Sequence, residues 1–302
     1  MVADLDAIVS RIPAWRGREL SVTPLAGGMT NASHLVTVDG RRYVVRLAVD
    51  DPALLGLDGE RERHNAEVAA GLGVGPRVLA HLPDLGALVV EFAEGRTLTA
   101  ADLRQPGMPS RLARTLRLLH GGPRFQGDFD MFRLIQAYLR TADTHGVGLP
   151  DRYRERLPAL ARIEAALTAR PLTAVPCHND LVAENVIDDG RSLRLVDWEY
   201  SGNGDPGFEL GNACRELDYD EAAAAELAGA YFGGAFPGQL ARLRLFAIVS
   251  DAGWALWAAL KAACSRLDLD FGDYGARRWA RAEGALDAPE LSVWLDRARG
   301  SA

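Results

Sequence analysis

Apolar residues recur along the chain at two different periods, and the change between them falls near residue 93. Leu5, Ile8, Val9 and Ile12 repeat at helical spacing, which predicts an amphipathic helix ended by Pro13. Short β-rich runs follow over Leu20–Leu25, His34–Val38 and Tyr43–Leu47, and Asp39-Gly40 between the last two is a hairpin signal. A charged helix is expected over Gly59–Leu72, with Gly73 at its end, then two further strands over Arg77–Ala80 and Ala87–Phe92. Beyond Gly95 the strand-like runs give way to long Ala/Leu/Arg helices, such as Ser110–His120, Phe129–Thr144 and Asp151–Ala169. The pattern describes an α+β chain of two lobes: residues 1–92, a small antiparallel sheet with a helix, and residues 93–302, mainly helical. The longest apolar stretch, Leu245–Leu260, carries Asp251 and is short for a bilayer, so a buried helix and no membrane insertion are expected.

One stretch interrupts the helical half. Cys177 to Tyr200 reads C-H-N-D-L-V-A-E-N-V-I-D-D-G-R-S-L-R-L-V-D-W-E-Y. Its apolar residues suit two short strands, Asn185–Ile187 and Leu193–Val196, turned by Asp188-Asp189-Gly190. Such a hairpin brings Asn185 and Asp197 together beside the loop that holds Asp180. Phosphoryl transfer needs this set: one carboxylate to orient the acceptor hydroxyl and take its proton, and an amide and a second carboxylate to hold Mg2+ against the phosphates of ATP. The spacing H-x-D-x-x-x-x-N followed by D-x-E matches a kinase catalytic loop and its metal-binding acid. Asp180 and Asn185 are the candidate catalytic residues, and Asn185 and Asp197 the candidate metal ligands. His178 and Asn179 read as braces of the loop, because no nucleophile motif accompanies them.

C-H-N-D-x-x-x-x-N together with D-W-E-Y resembles the choline/ethanolamine kinase family, kin to the aminoglycoside phosphotransferases. H-N-D and D-W-E replace the H-R-D and D-F-G of protein kinases, which points toward small-molecule acceptors. The resemblance implies a two-lobed, protein-kinase-like fold. It also implies a phosphate-covering turn at Gly27, Gly28, Thr30 and Asn31, a phosphate-gripping cation at Arg46, and a helix acid paired with that cation, Glu62 matching best and Glu60 second. An adenine-binding hinge is implied at Glu91, Phe92 and Ala93. Glu209 would brace the catalytic loop and Glu216 would face a substrate cation. Trp254, Trp257, Phe271 and Tyr274, in W-x-x-W and D-F-G-D-Y, match the family's aromatic residues, and Glu199 and Tyr200 could line the same pocket. A quaternary ammonium donates no hydrogen bond, so aromatic faces and carboxylates must hold it. The implied acceptor is choline or a similar amino alcohol; ethanolamine, thiamine or an aminoglycoside is the alternative, as is a non-catalytic nucleotide or amine binder.

Bulk composition adds little and excludes some. With 34 basic and 41 acidic residues in 302, the net charge of −7 argues against a nucleic-acid surface and suits a cationic substrate. Three widely spaced cysteines and no C-x-x-C pair fit reduced thiols in a cytoplasm. No basic segment followed by an apolar core opens the chain, so no signal peptide is expected. Oligomeric state is not encoded in any motif.

Overall fold

The computed structural model describes residues 5–25, 30–50, 52–234, 236–265 and 269–300. Five strands, β1 (Leu20–Leu25), β2 (Asn31–Val38), β3 (Arg41–Ala48), β4 (Val78–Leu82) and β5 (Ala87–Glu91), form an antiparallel sheet in the order β1-β2-β3-β5-β4. Helix α1 (Leu5–Arg11) closes one face, where Ile8, Ile12 and Trp15 meet Val36, Val38, Val45, Leu47, Ala87 and Val89. Because side chains alternate along a strand, burying Val45 and Leu47 on that face turns Arg46 to the other, toward the rest of the protein.

Helix α2 (Gly59–Gly71) follows β3, N-capped by Asp58, whose side chain accepts from the amides of Glu60 and Arg61. The short turn Pro52–Leu55 before it dips into the helical lobe: Leu55 joins that lobe's core, and Asp50 pairs with Lys261 at 2.5 Å.

After β5 come β6 (Arg96–Thr97) and helices α3 (Ala100–Leu103), α4 (Met108–His120), α5 (Met131–His145) and α6 (Tyr153–Thr168). Three short strands carry the motif-rich stretch: β7 (Val175–Cys177), β8 (Val186–Asp188) and β9 (Leu193–Leu195), with β10 (Gly202–Gly204) pairing back onto β7. The expected hairpin is therefore present, shifted by one residue, since Ala183–Asn185 forms a helical turn before β8 begins. Helices α7 (Pro206–Glu216), α8 (Glu221–Phe232), α9 (Pro237–Cys264), α10 (Phe271–Leu286) and α11 (Leu291–Arg299) complete the chain. The antiparallel sheet lobe and mainly helical lobe are those expected of a kinase-like fold.

The apolar helix is longer than expected: α9 runs for 28 residues, enough in length and composition to cross a membrane. Yet 89% of that apolar window lies inside the protein, so it is the central helix of the large lobe. Helix α7 crosses it so closely that a Cβ on Gly211 would lie 2.6 Å from the carbonyl of Leu243. Glycine is needed there, and its close approach sets the neighbouring Asn212 against Ser250 and Trp254.

Candidate active site

The strand pair β7–β10 aligns two loops, His178–Asp180 and Asp197–Ser201, and the β8–β9 hairpin brings Asn185 between them. Both loops contain a residue in the left-handed region, Asn179 at φ 70° and Asp197 at φ 70°. Asn and Asp tolerate that conformation best among residues with a Cβ, which accounts for the residue types found there. The first loop is heavily braced. Glu209, wholly buried, accepts from the amides of His178 at 2.7 Å and Asn179 at 2.9 Å, and its other oxygen meets His120 Nε2. His178 Nε2 donates to the carbonyl of Val196 at 2.8 Å, and burial lowers its pKa, in keeping with a neutral ring. Asn179 Nδ2 donates to the carbonyl of Tyr200, and Asn212 Nδ2 to that of Asn179. Asn212 Oδ1 in turn accepts from Trp254 Nε1 at 3.0 Å, so one amide links the loop to the aromatic helix.

These braces place Asp180, Asn185 and Asp197 on one cavity of about 450 Å3. Asn185 Nδ2 donates to the main-chain oxygen of Asp180 at 2.9 Å and approaches Oδ2 at 3.4 Å. Burial, then the charge of Asp197, pushes the Asp180 carboxyl up to about 7, the range of an effective general base.

On the sheet side, Arg46 reaches across to three acids. It pairs with Glu62 of α2, with Asp197 Oδ1 at 2.7 Å and with Glu199 Oε2 at 3.3 Å. Burial disfavours its charge, but Asp197, Glu62 and Glu199 together hold its pKa above the usual guanidinium value. Asn31 Nδ2 donates to Glu199 at 2.8 Å, and burial, then the charge of Asp197, pushes that carboxyl up to about 8. The acids Glu62, Asp180, Asp197 and Glu199 thus outnumber nearby cations among the described residues. Asp197 Oδ1, buried, is outside hydrogen-bond geometry despite its closeness to Arg46. Asn185 and Asp197, with Asp180 beside them on the one cavity, offer hard oxygen donors of the kind a magnesium-type cation takes.

Several positions differ from expectation. Glu199 does not line the aromatic cavity; it opens with Arg46 and Glu62 onto a separate cavity of about 320 Å3 between sheet and α2, because Arg46 and Asn31 hold it there. Phe271 is absent from the cavity wall and backs Trp257, ring centroids 5.8 Å apart. Glu216 lines the cavity, but its carboxylate is taken by Arg278 rather than left for a substrate cation. Tyr200, Trp254, Trp257 and Tyr274 line the wall, and Thr30 borders both cavities. At the segment between lobes, the amides of Glu91 and Phe92 donate to the carbonyls of Arg77 and Arg42, so Ala93 has the first amide with no bond among the described residues. Gly27 and Gly28 lie outside the described residues.

Arg278 was not anticipated from sequence. It is 2% exposed and donates to Asp251 at 2.8 Å, to Glu216 and to the Tyr274 hydroxyl at 2.8 Å. The signal was available: Phe271, Gly275, Arg278 and Ala282 form one helical stripe, and an arginine on an otherwise apolar stripe needs a partner. His120, on the buried face of α4, was missed in the same way.

Comparison with known proteins places this geometry. A solved choline/ethanolamine kinase family protein from Mesorhizobium loti is 31% identical, aligns over 99% of this chain and 100% of its own, and superposes with a TM-score of 0.85. The choline kinase LicA of Streptococcus pneumoniae is 26% identical over 93% of this chain and 98% of its own, with a TM-score of 0.79. A thiamine kinase of Shigella boydii is 30% identical over 191 residues, which span 63% of this chain and 64% of that enzyme. Residues 21–246 match the phosphotransferase enzyme family. With its braced Asp180 loop, its Asn185–Asp197 pair and a fold shared end to end with a choline/ethanolamine kinase family protein, this chain belongs to the phosphotransferase enzyme family and transfers phosphate to a small molecule.

Proposed function

We propose that the phosphate donor is ATP and the acceptor is the hydroxyl of choline or a similar amino alcohol. The observation that carries this reading is the single cavity on which Asp180, Asn185 and Asp197 share a wall with Trp254, Trp257 and Tyr274. A hydroxyl placed at Asp180 therefore has an aromatic enclosure within reach for the cationic end of the same small molecule. At about 450 Å3 the cavity is of ligand-binding size. Trp254 and Trp257 are three residues apart on α9, so both rings fall on one helix face, and Tyr274 joins them from α10.

In this reading Asp180 orients the acceptor hydroxyl and takes its proton as the oxygen attacks the γ-phosphorus and the bond to the β–γ bridging oxygen breaks, releasing ADP. Asn185 and Asp197 would hold magnesium, which supplies charge neutralisation on the phosphate oxygens. Arg46 grips phosphate oxygens from the sheet side, a task for which a planar guanidinium suits two-pronged contact. Ala93 offers its amide to the adenine edge. Tyr274, held by Arg278, presents its ring to the substrate cation. Because Arg278 offsets the charge of Glu216, aromatic faces carry more of the cation's recognition than the carboxylate does.

Thiamine is the second reading. Like choline it joins a quaternary nitrogen to a primary alcohol, and a thiamine kinase is among the relatives. Both readings are tested by measuring Mg-ATP consumption against choline, ethanolamine, thiamine and kanamycin. The expected result is highest kcat/KM for choline. Highest kcat/KM for kanamycin, or ADP release that no acceptor accelerates, refutes the aromatic-cage reading.

A further inference from the structure

Of the three acids that meet Arg46, Glu62 sits on a helix that does not belong to the sheet's apolar core. That core is built from α1, Trp15 and the strands, and among the described residues α2 contributes nothing to it. Ala66 and Ala69 of α2 instead pack with Leu116, Leu119, Leu195 and Trp198 of the large lobe. Glu62, Asn65, Ala66 and Ala69 follow one another at spacings of three, one and three, so they share one face of the helix. Asn65 on that face is completely buried. Its Nδ2 donates to the carbonyl of Gln126 at 3.3 Å, to the carbonyl of Ser201 at 3.2 Å and to Ser201 Oγ at 3.1 Å; its Oδ1 accepts from the amide of Gln126 at 2.8 Å. Close approach supports the same docking: a Cβ on Gly127, which sits at φ +77°, would lie 2.7 Å from Arg61 Cδ.

We infer that Asn65 is a positioning residue: it fixes α2 to the Gln126 and Ser201 loops and so holds Glu62 in register with Asp197 and Glu199, two to four residues before Ser201. Asp197 and Glu199 lie on the large lobe and Glu62 on a helix docked to it through Asn65, while Arg46 comes from the sheet; α2 also meets the sheet, where Glu60 pairs with His81 of β4 at 3.2 Å. The inference rests on the reading that Arg46 meets nucleotide phosphates, because that contact reports the position of Glu62.

Mg-ADP binding by calorimetry tests it without reference to the acceptor, using the full chain, Glu62→Gln, Asn65→Leu and the double variant. Asn65→Leu is expected to weaken Mg-ADP about fivefold, and to weaken it less than about twofold further in the Glu62→Gln background, since both changes act through one contact. Losses that multiply, or nucleotide affinity of wild-type strength in Asn65→Leu despite a lower melting temperature, overturn it and leave Asn65 a packing residue. If Asn65→Leu does not fold, Asn65→Asp, which keeps the acceptor for the Gln126 amide and loses the donors to Ser201 and to the Gln126 carbonyl, is read by the same criteria. Wild-type affinity in Glu62→Gln refutes the reading of Arg46 itself, and this inference with it.

Discussion

Replacing Glu209 with alanine should disable the site while touching neither substrate nor nucleotide. Glu209 is wholly buried, and its carboxylate receives two amides of the loop that ends at Asp180, with His120 on its far oxygen. A hydrogen bond to a charged partner is worth about 1.5–3 kcal/mol, so two lost amide bonds come to about 3–6 kcal/mol. That is a large share of the roughly 5–15 kcal/mol by which a typical protein is stable. The kinetic effect follows from position: a shift of about 1 Å in a reacting group costs on the order of a hundredfold in rate. Burial alone would raise the Glu209 carboxyl, but the charge of His120 and the loop amides outweigh it and hold its pKa below the ordinary 4.5. A depressed folded pKa contributes stability above the unfolded value and loses it as pH falls through the folded one. The gap between wild type and Glu209→Ala should therefore be full at pH 7 and narrow below about pH 4.5. Urea unfolding followed by circular dichroism at both pH values, with turnover at pH 7, measures all of this. Glu209→Gln, which keeps an acceptor for the amides, should fall between the two. Turnover within threefold of wild type in Glu209→Ala, or a stability gap of less than about 1 kcal/mol, would show that the loop holds its shape without this brace.

Asp180→Asn should abolish turnover and leave Mg-ADP affinity within about twofold; loss of nucleotide binding would make Asp180 structural. Trp257→Leu should raise KM for choline by about two- to thirtyfold, the value of one desolvated aromatic face, with KM for ATP unchanged. Equal effects on both substrates would remove the cage. Arg278→Met leaves Glu216 buried without its cation and should cost about 3–5 kcal/mol of stability in chemical denaturation, against much less for Arg278→Lys; equal losses in the two variants would show that shape, not charge, matters there. Chelation by EDTA should stop turnover and added magnesium restore it; activity surviving chelation would end the assignment of Asn185 and Asp197 as ligands.

Much of the site was legible because its chemistry demands particular residue types at short range. Asp180 and Asn185 are five residues apart, and the hairpin that returns Asp197 to them is announced by two apolar runs and a D-D-G turn. The two lobes were legible from the change in apolar period, and Arg46 was a candidate through the resemblance to the family's phosphate-gripping cation. What stayed hidden depends on contacts between distant segments. Glu199 follows Asp197 by two residues, and only the sheet lobe's Asn31 and Arg46 decide that it faces them and not the aromatic wall. Glu216 reads as a free acid until α10 delivers Arg278 to it from 62 residues away.

The membership of α2 shows the same division of labour. Its sequence specifies a capped helix with Glu62, Asn65, Ala66 and Ala69 on one face, and nothing more. Which body receives that face was settled in three dimensions, where Gln126 and Ser201 satisfy a buried amide that the sheet's apolar core could not. Local spacing determines which groups a segment presents. The partner that neutralises a charge or satisfies a buried hydrogen bond is chosen by packing, because desolvation makes an unpaired polar group too unstable to bury anywhere else.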